Sequence, residues 1–392
     1  MPHYKYLIIG GGMTGDAAVH GIREIDPNGP IGIISQEPDN PYDRPPLTKG
    51  LWKDKPLESI WRHTENERVE FHLGRNVTAI ESAQKRVTDD ARNTYTYDKL
   101  LIATGGRPRQ LPFGDGQIIY YRTLNDFRRL HELTDKNKRF VVIGSGFIGS
   151  EIAAALAMNH KEVAMVFPGK SISDRVFPQD LSEFLNGFYR EKGVDLLPGE
   201  SATGLAARNG ELLLRTSNGR ELVASAVVAG IGIQPNIELA QKAGLKTDNG
   251  VIVDEFLRTT QPDIYAAGDV AAFFSPALGK NIRVEHEDNA NTMGKMAGHN
   301  MAGKTEAYRH LPFFYSDLFE LGYEAVGDLD SRLETFADWK TPFREGVVYY
   351  LNQGRVRGVL LWNVWGQVDN ARALINEPGP FKPDNLKGRL PK

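Results

Sequence analysis

Six glycines carry the plainest chemical signal in the chain. Gly10, Gly12 and Gly15 stand in KYLIIGGGMTG, and Gly144, Gly146 and Gly149 stand in RFVVIGSGFIG. Each set has the spacing G-x-G-x-x-G directly behind an apolar run. In such a pattern the first glycine turns the chain. The second lets the backbone approach a pyrophosphate, and the third lets the following helix pack against the strand. The helix N-terminus then faces the anion. One copy alone also reads as a structural glycine turn. Two copies, each behind a strand, predict two dinucleotide-binding units.

The elements that must position these glycines follow from hydrophobic patterning. The apolar runs before them read as buried parallel strands. TGDAAVHGIREI and IGSEIAAALAMN, which follow, have helical patterns. The first unit continues into a second strand, PIGIISQE, and Glu37 lies 22 residues after Gly15. An acid at that distance is the expected partner of a ribose hydroxyl; the alternative is a solvated acid before a loop. The second unit continues into EVAMVFPGK, with Phe167 roughly where an acid is expected and no carboxylate until Asp174. An acid there repels a 2′-phosphate, so its absence removes one device that rejects NADP. Lys170 and Arg175 can attract such a phosphate, or they are solvated loop charges.

Three further stretches extend the pattern: YDKLLIATGGRPR, ASAVVAGIGIQPN and TTQPDIYAAGDVAAF. Asp269 follows Gly268 at the carboxyl end of the third. It can accept hydrogen bonds from a sugar-alcohol chain, or it caps a helix. DRPPLTKG, stiffened by two prolines and ending in Lys49-Gly50, lies just beyond the second strand.

Composition narrows the classes. The chain has 392 residues, enough for two or three domains, and is 41% hydrophobic and 25% charged. A net charge of −3 gives no sign of a nucleic-acid or membrane surface. The longest apolar runs, FVVIG and GVLLW, are far too short to span a bilayer. The first strand begins so early that no leader is expected, which makes the cytoplasm the expected location. The chain has no cysteine. That excludes disulfides, thiolate metal sites, iron–sulfur ligation and any dithiol or cysteine nucleophile of its own.

Other features read as structural. His286 and His299 flank a helical pattern without metal-ligand spacing, so no metal is expected. Glu285, Glu287 and Asp288 suit a helix N-terminus. GVVYYLNQGRVRGVLLWNVW reads as two strands around an Asn-Gln-Gly turn, with Trp362 and Trp365 in core or interface. The closing PGPFKPDNLKGRLPK reads as an extended, mobile tail.

The order of these motifs resembles that of the two-dinucleotide-binding-domain flavoproteins, the FAD-dependent pyridine-nucleotide oxidoreductases. PYDRPPLTKGLW, RVEHEDNANTMGKMAGHNMAG and FFYSDLFELGYEAVGDLD resemble its ferredoxin-reductase and apoptosis-inducing-factor branch. GVLLWNVW is similar to apoptosis-inducing factor more than to the ferredoxin reductases. The resemblance covers nearly the whole chain. It lacks the targeting segment and long insertions of the animal factor, and so is similar to a compact prokaryotic member.

The resemblance implies an α/β architecture like that of glutathione reductase: two Rossmann-like domains, one inserted in the other, and a C-terminal α+β domain. Residues 1–111 and 238–305 would bind FAD non-covalently, 112–237 would bind NADH or NADPH, and 306–392 would form the third domain. Gly10, Gly12, Met13, Thr14, Gly15 and Glu37 would hold the adenosine half of FAD, with Arg44 and the backbone of Val77 nearby. Ala103, Thr104, Gly105 and Arg109 would line the FAD chain, and Gly268-Asp269 its ribityl. Gly144, Gly146, Phe147, Ile148 and Gly149 would receive the nicotinamide nucleotide, along with Phe167 and Lys170. Ile231-Gly232 and Glu285-His286 would pass near the nicotinamide.

Lys49 would reach the flavin and pair with Glu151, a catalytic pairing that the sequence alone does not place together. Tyr315 stands where the branch usually has tryptophan; it either stacks near the cofactors or is ordinary core. The implied reaction passes electrons from NAD(P)H through FAD to a one-electron carrier such as ferredoxin or rubredoxin. The alternatives are a diaphorase-like reductase of ferric chelates, quinones or oxygen, and an NADH-responsive binding protein like apoptosis-inducing factor. The acceptor, the preferred nucleotide and the oligomeric state, a homodimer among them, stay open.

Overall fold

The first apolar run becomes β1 (His3–Ile9), buried from Tyr6 to Ile9. It turns through the first glycine set into α1 (Met13–Ile25) and returns as β2 (Ile31–Ser35). β3 (Val69–Leu73) pairs with β2, and β4 (Thr94–Ile102) pairs with β1, all in parallel. The register places Ile33 and Leu101 on either side of Ile8. A late strand, Ile264–Ala266, extends this sheet along β4. β2 and the second half of β1 are buried on both faces, which is why they read as continuous apolar runs, whereas β3 at the sheet edge has no fully buried residue. In this computed structural model, residues 1–390 are described.

The chain forms two compact units. The first comprises Met1–Arg44, Leu57–Arg107 and Gln234–Pro312, and the second Pro45–Pro56, Pro108–Ile233 and the residues from Phe313 onward. Within the first unit, α1 and the helix Glu287–Met301 pack almost backbone to backbone. A Cβ on Gly21 would lie 2.2 Å from the Lys295 carbonyl oxygen, and one on Gly298 would lie 2.2 Å from that of Ala18. Small residues at these positions permit the approach; larger ones would part the helices.

The second unit repeats the plan. β5 (Ile118–Tyr120), β6 (Arg139–Ile143), β7 (Glu162–Phe167), β8 (Val194–Pro198) and β9 (Ala226–Ala229) form a parallel sheet in the order β8-β7-β6-β9-β5. α2 (Phe147–Met158) follows β6 through the second glycine set. The unit also holds an antiparallel sheet in the order β10-β11-β14-β13-β12. Its strands are β10 (Phe313–Leu318), β11 (Leu321–Gly327), β12 (Glu334–Thr341), β13 (Glu345–Asn352) and β14 (Arg355–Trp362), with α3 (Val368–Asn376) packed on β11 and β14. β13 and β14 are the two strands expected around the Asn-Gln-Gly turn. Trp362 is fully buried, whereas Trp365 is 52% exposed.

The tail differs from its reading as an extended, mobile segment. Pro383–Leu386 forms a short helical turn, Leu386 and Leu390 are buried, and Gly388 N–H donates to Asp338 Oδ2 at 2.7 Å. Two spaced leucines are enough to anchor a Pro/Lys-rich segment, a signal masked by its composition. Pro391 and Lys392, part of that reading, lie outside the described residues. Among the described residues no helix is long and apolar enough to cross a membrane.

Candidate active site

The two glycine sets have the same internal logic. In the first, Gly10 sits at φ 122°, and a Cβ there would lie 2.1 Å from the Ala103 carbonyl oxygen. A Cβ on Gly15 would lie 2.2 Å from the Gly10 oxygen. In the second, Gly144 sits at φ 104° with the Gly230 oxygen 2.4 Å from such a Cβ, and Gly149 meets the Gly144 oxygen at 2.2 Å. The outer glycines are thus closed in by backbone. The middle ones are not. A Cβ on Gly12 would approach only Arg44 Nη2, at 3.9 Å, and one on Gly146 would meet nothing within 4 Å. Both middle glycines are helix N-caps without a side-chain capping bond. An open face at the start of a helix is the shape a pyrophosphate requires, so both turns fit a dinucleotide.

Around the first turn, Tyr42 Oη donates to Glu37 Oε2 at 2.5 Å, and Arg44 donates to Glu37 Oε1. Burial works against the Arg44 cation, but Tyr42, Glu37 and Asp269 more than restore it, and its pKa is raised. Gly268 packs so tightly on Thr14 that a Cβ would lie 2.2 Å from its hydroxyl oxygen. Met13 and Thr14 are buried in the first turn of α1. Asn236 locks the Thr-Gly-Gly turn: its Nδ2 donates to Thr104 O at 2.8 Å, and its backbone N–H to Gly105 O at 3.0 Å. Val77 begins the strand Val77–Glu81, and Ala103 directly follows β4. Glu285 is salt-bridged to Arg283 at 2.6 Å, and His286 is the N-cap of Glu287–Met301. His299 is structural, held by Glu24 at 2.8 Å.

In the second unit, Arg109 N–H donates to Gly232 O at 2.9 Å, fixing the Ile231-Gly232 turn. Ile148 is 36% exposed beside the buried Gly149. Phe167 closes β7 with its side chain 1% exposed, while Lys170 lies on the surface.

The segment carrying Lys49 folds as two tight helical turns, Pro45–Thr48 and Gly50–Trp52. Trp52 Nε1 donates to Leu47 O at 2.8 Å, Tyr121 Oη donates to the same oxygen, and Asn159 Nδ2 donates to Trp52 O at 3.1 Å. So anchored, Lys49 Nζ lies 2.7 Å from Glu151 Oε1. The pairing expected from the resemblance is therefore formed. Two hydroxyls not singled out from the sequence complete it. Thr48 Oγ1 donates to Glu151 Oε2 and Ser316 Oγ to Oε1, each at 2.5 Å. Glu151 is 4% exposed, and a carboxylate so buried requires these donors.

Periodicity explains how the donors converge. Phe147 and Glu151 are one helical turn apart on α2; Phe314 and Ser316 are two apart on β10. The rings of Phe147 and Phe314 meet at 5.2 Å, which sets Ser316 against Glu151. Lys49 Nζ also lies 5.2 Å from the centre of the Tyr315 ring. Burial, and after it the Glu151 charge, push the phenols of Tyr189 and Tyr323 well above their usual range, so both stay protonated around the carboxylate.

The model of the pyridine nucleotide-disulphide oxidoreductase family matches residues 4–294. The chain belongs to that family. The model "Apoptosis-inducing factor, mitochondrion-associated, C-term" matches residues 297–342 and 337–377. Mitochondrial apoptosis-inducing factor 1 of Dictyostelium discoideum is 36% identical over 95% of this chain and 78% of its own. The ferredoxin–NAD(+) reductase component of the Burkholderia cepacia anthranilate 1,2-dioxygenase system is 34% identical over 94% and 93%. The solved covalent complex of putidaredoxin reductase with putidaredoxin superposes with a TM-score of 0.91, at 30% identity, over 98% of this chain and 96% of that one. The enzyme is thus an oxidoreductase with the two-dinucleotide-binding-domain fold, and membership implies a flavin and a pyridine nucleotide. Lacking cysteine, it cannot supply the dithiol that the family name describes.

Proposed function

We propose that this oxidoreductase takes electrons from NAD(P)H into non-covalently bound FAD and delivers them singly to a small redox protein of the ferredoxin or rubredoxin kind. FAD supplies the conversion of a two-electron donor to one-electron steps. Residues 1–111 and 238–305 are assigned to FAD, 112–237 to the nucleotide, and 306–392 to a C-terminal domain. Glu37 and Arg44 would hold the adenosine end of FAD, and Asp269 its ribityl. The observation that carries the reading is Lys49 paired with the buried Glu151 in a chain without cysteine. Glu151 fixes the Lys49 ammonium in place, and a fixed cation would stabilise the negative charge gained on reduction. Tyr315, against the same ammonium, limits where Lys49 can move.

The test is rapid-mixing reduction of the purified yellow protein by each nucleotide, followed by reoxidation with ferredoxin, rubredoxin, ferric chelate, quinone and oxygen. Fast reduction with fastest reoxidation by an iron–sulfur protein is expected. Preferential turnover of ferric chelates or quinones would make it a diaphorase instead. The match to the apoptosis-inducing-factor C-terminal model favours one other reading, an NADH-responsive binding protein. Slow turnover with every acceptor, together with an NADH-dependent mass change on a sizing column, would establish it.

A further inference from the structure

The second glycine turn is tied to a loop whose shape the strand-end residue does not explain. β7 ends in buried Phe167, and the chain passes through Pro168 and Gly169 into residues 170–175. Ser173 donates its backbone N–H to the Ser145 carbonyl oxygen at 3.0 Å, and its hydroxyl to the same oxygen at 3.3 Å. Ser145 stands between Gly144 and Gly146. Ser173 holds a φ of 54°, a left-handed conformation that residues with a Cβ adopt at a cost. The next residue, Asp174, folds its carboxylate back over the start of the loop. Lys170 N–H donates to its Oδ2 at 2.9 Å, and a Cβ on Gly169 would lie only 2.5 Å from that oxygen. Gly169 is the residue that makes room. Oδ1 has no hydrogen-bond partner among the described residues.

We propose that Asp174 supplies the carboxylate that Phe167 does not, accepting a hydroxyl of the adenosine ribose and selecting NADH over NADPH. The inference rests on the reading of this turn as the pyridine-nucleotide site. A 2′-phosphate beside a carboxylate fixed by the backbone is repelled, and it forfeits the hydroxyl's hydrogen bond. Two cations oppose this. Lys170 and Arg175 are both exposed, so their pull on a phosphate is screened and carries the entropy of long side chains. The other nearby acid, Glu200, donates its backbone N–H to Phe167 O but keeps its carboxylate on Thr216 and Arg220. Asp174 is therefore the acid left to face the ribose.

The experiment measures initial rates of the FAD-loaded full chain with NADH and NADPH, using ferricyanide as acceptor. The wild type is expected to favour NADH in kcat/KM by about tenfold or more, the worth of one hydrogen bond to a charged group. Asp174→Asn should erase most of that ratio through a higher KM for NADH, with kcat and bound flavin unchanged. Asp174→Ser, a smaller variant, should do the same and guards against misfolding of the first. A wild type that prefers NADPH, or a ratio unmoved in both variants, would overturn the proposal. Failure of both nucleotides to reduce the wild type would overturn the nucleotide-site reading itself, and this inference with it.

Discussion

The two glycine-turn units share a backbone device and differ in how they treat the end of their second strand. In the first, Glu37 lies just past β2 and is gripped by Tyr42 and Arg44. In the second, β7 ends in a buried phenylalanine, and Asp174, the carboxylate proposed for the same task, lies on a loop hydrogen-bonded to the glycine turn. The comparison teaches that the glycines answer to backbone geometry, which is the same in both units. On the proposed reading, the acid that would meet the sugar answers to the ligand, and it differs between the two units. A rigidly held acid suits a cofactor bound permanently. An acid on a loop suits a substrate that comes and goes.

Substitutions test this contrast. Gly10→Ala should have the largest effect, because its Cβ would collide with the Ala103 carbonyl in a left-handed backbone. A loss of about 3 kcal/mol of stability or more is expected, with release of FAD, read by melting and flavin fluorescence. Gly146→Ala, whose Cβ enters open space, should change stability by about 1 kcal/mol or less while raising the KM for nucleotide. Equal losses in the two variants would contradict the division between closed outer glycines and open middle ones. Next, Glu37→Ala should weaken FAD binding about tenfold and leave the nucleotide KM unchanged. A shift in nucleotide affinity instead would move Glu37 to the other site. The smallest effect is expected of Ser316→Ala, which removes one of the donors to Glu151. Flavin reduction should slow about three- to tenfold, measured by rapid mixing, and Ser316→Thr should restore it.

Much of this was legible in the sequence, for physical reasons that can be named. The parallel strands around Ile8 and Val142 announce themselves because burial on both faces leaves an unbroken apolar run. Gly10 and Gly144 are legible because no other residue satisfies both a positive φ and a backbone in contact, and Gly15 and Gly149 because a Cβ there would strike the Gly10 and Gly144 carbonyl oxygens. The Lys49–Glu151 pair was reached only through resemblance, since the partners are 102 residues apart and charge has no periodicity. Thr48 and Ser316 leave no signal in sequence, because hydroxyls are common and their value lies in what they touch. Ser316 carries one retrospective signal: it follows Phe314 at strand spacing, as Glu151 follows Phe147 at helix spacing. The tail reads as extended in sequence because its Pro, Lys and Gly outweigh Leu386 and Leu390, the two residues that anchor it. Asp174 appeared only as the next carboxylate in the chain, because a loop that doubles back leaves no pattern in sequence.

The central claim is that a cation held by a buried carboxylate, in place of sulfur, serves the reduced flavin. Single-turnover reduction of fully FAD-loaded Lys49→Ala by NADH tests it most directly. A rate about 100-fold below wild type, with flavin content intact, is expected. Reduction at the wild-type rate would contradict it.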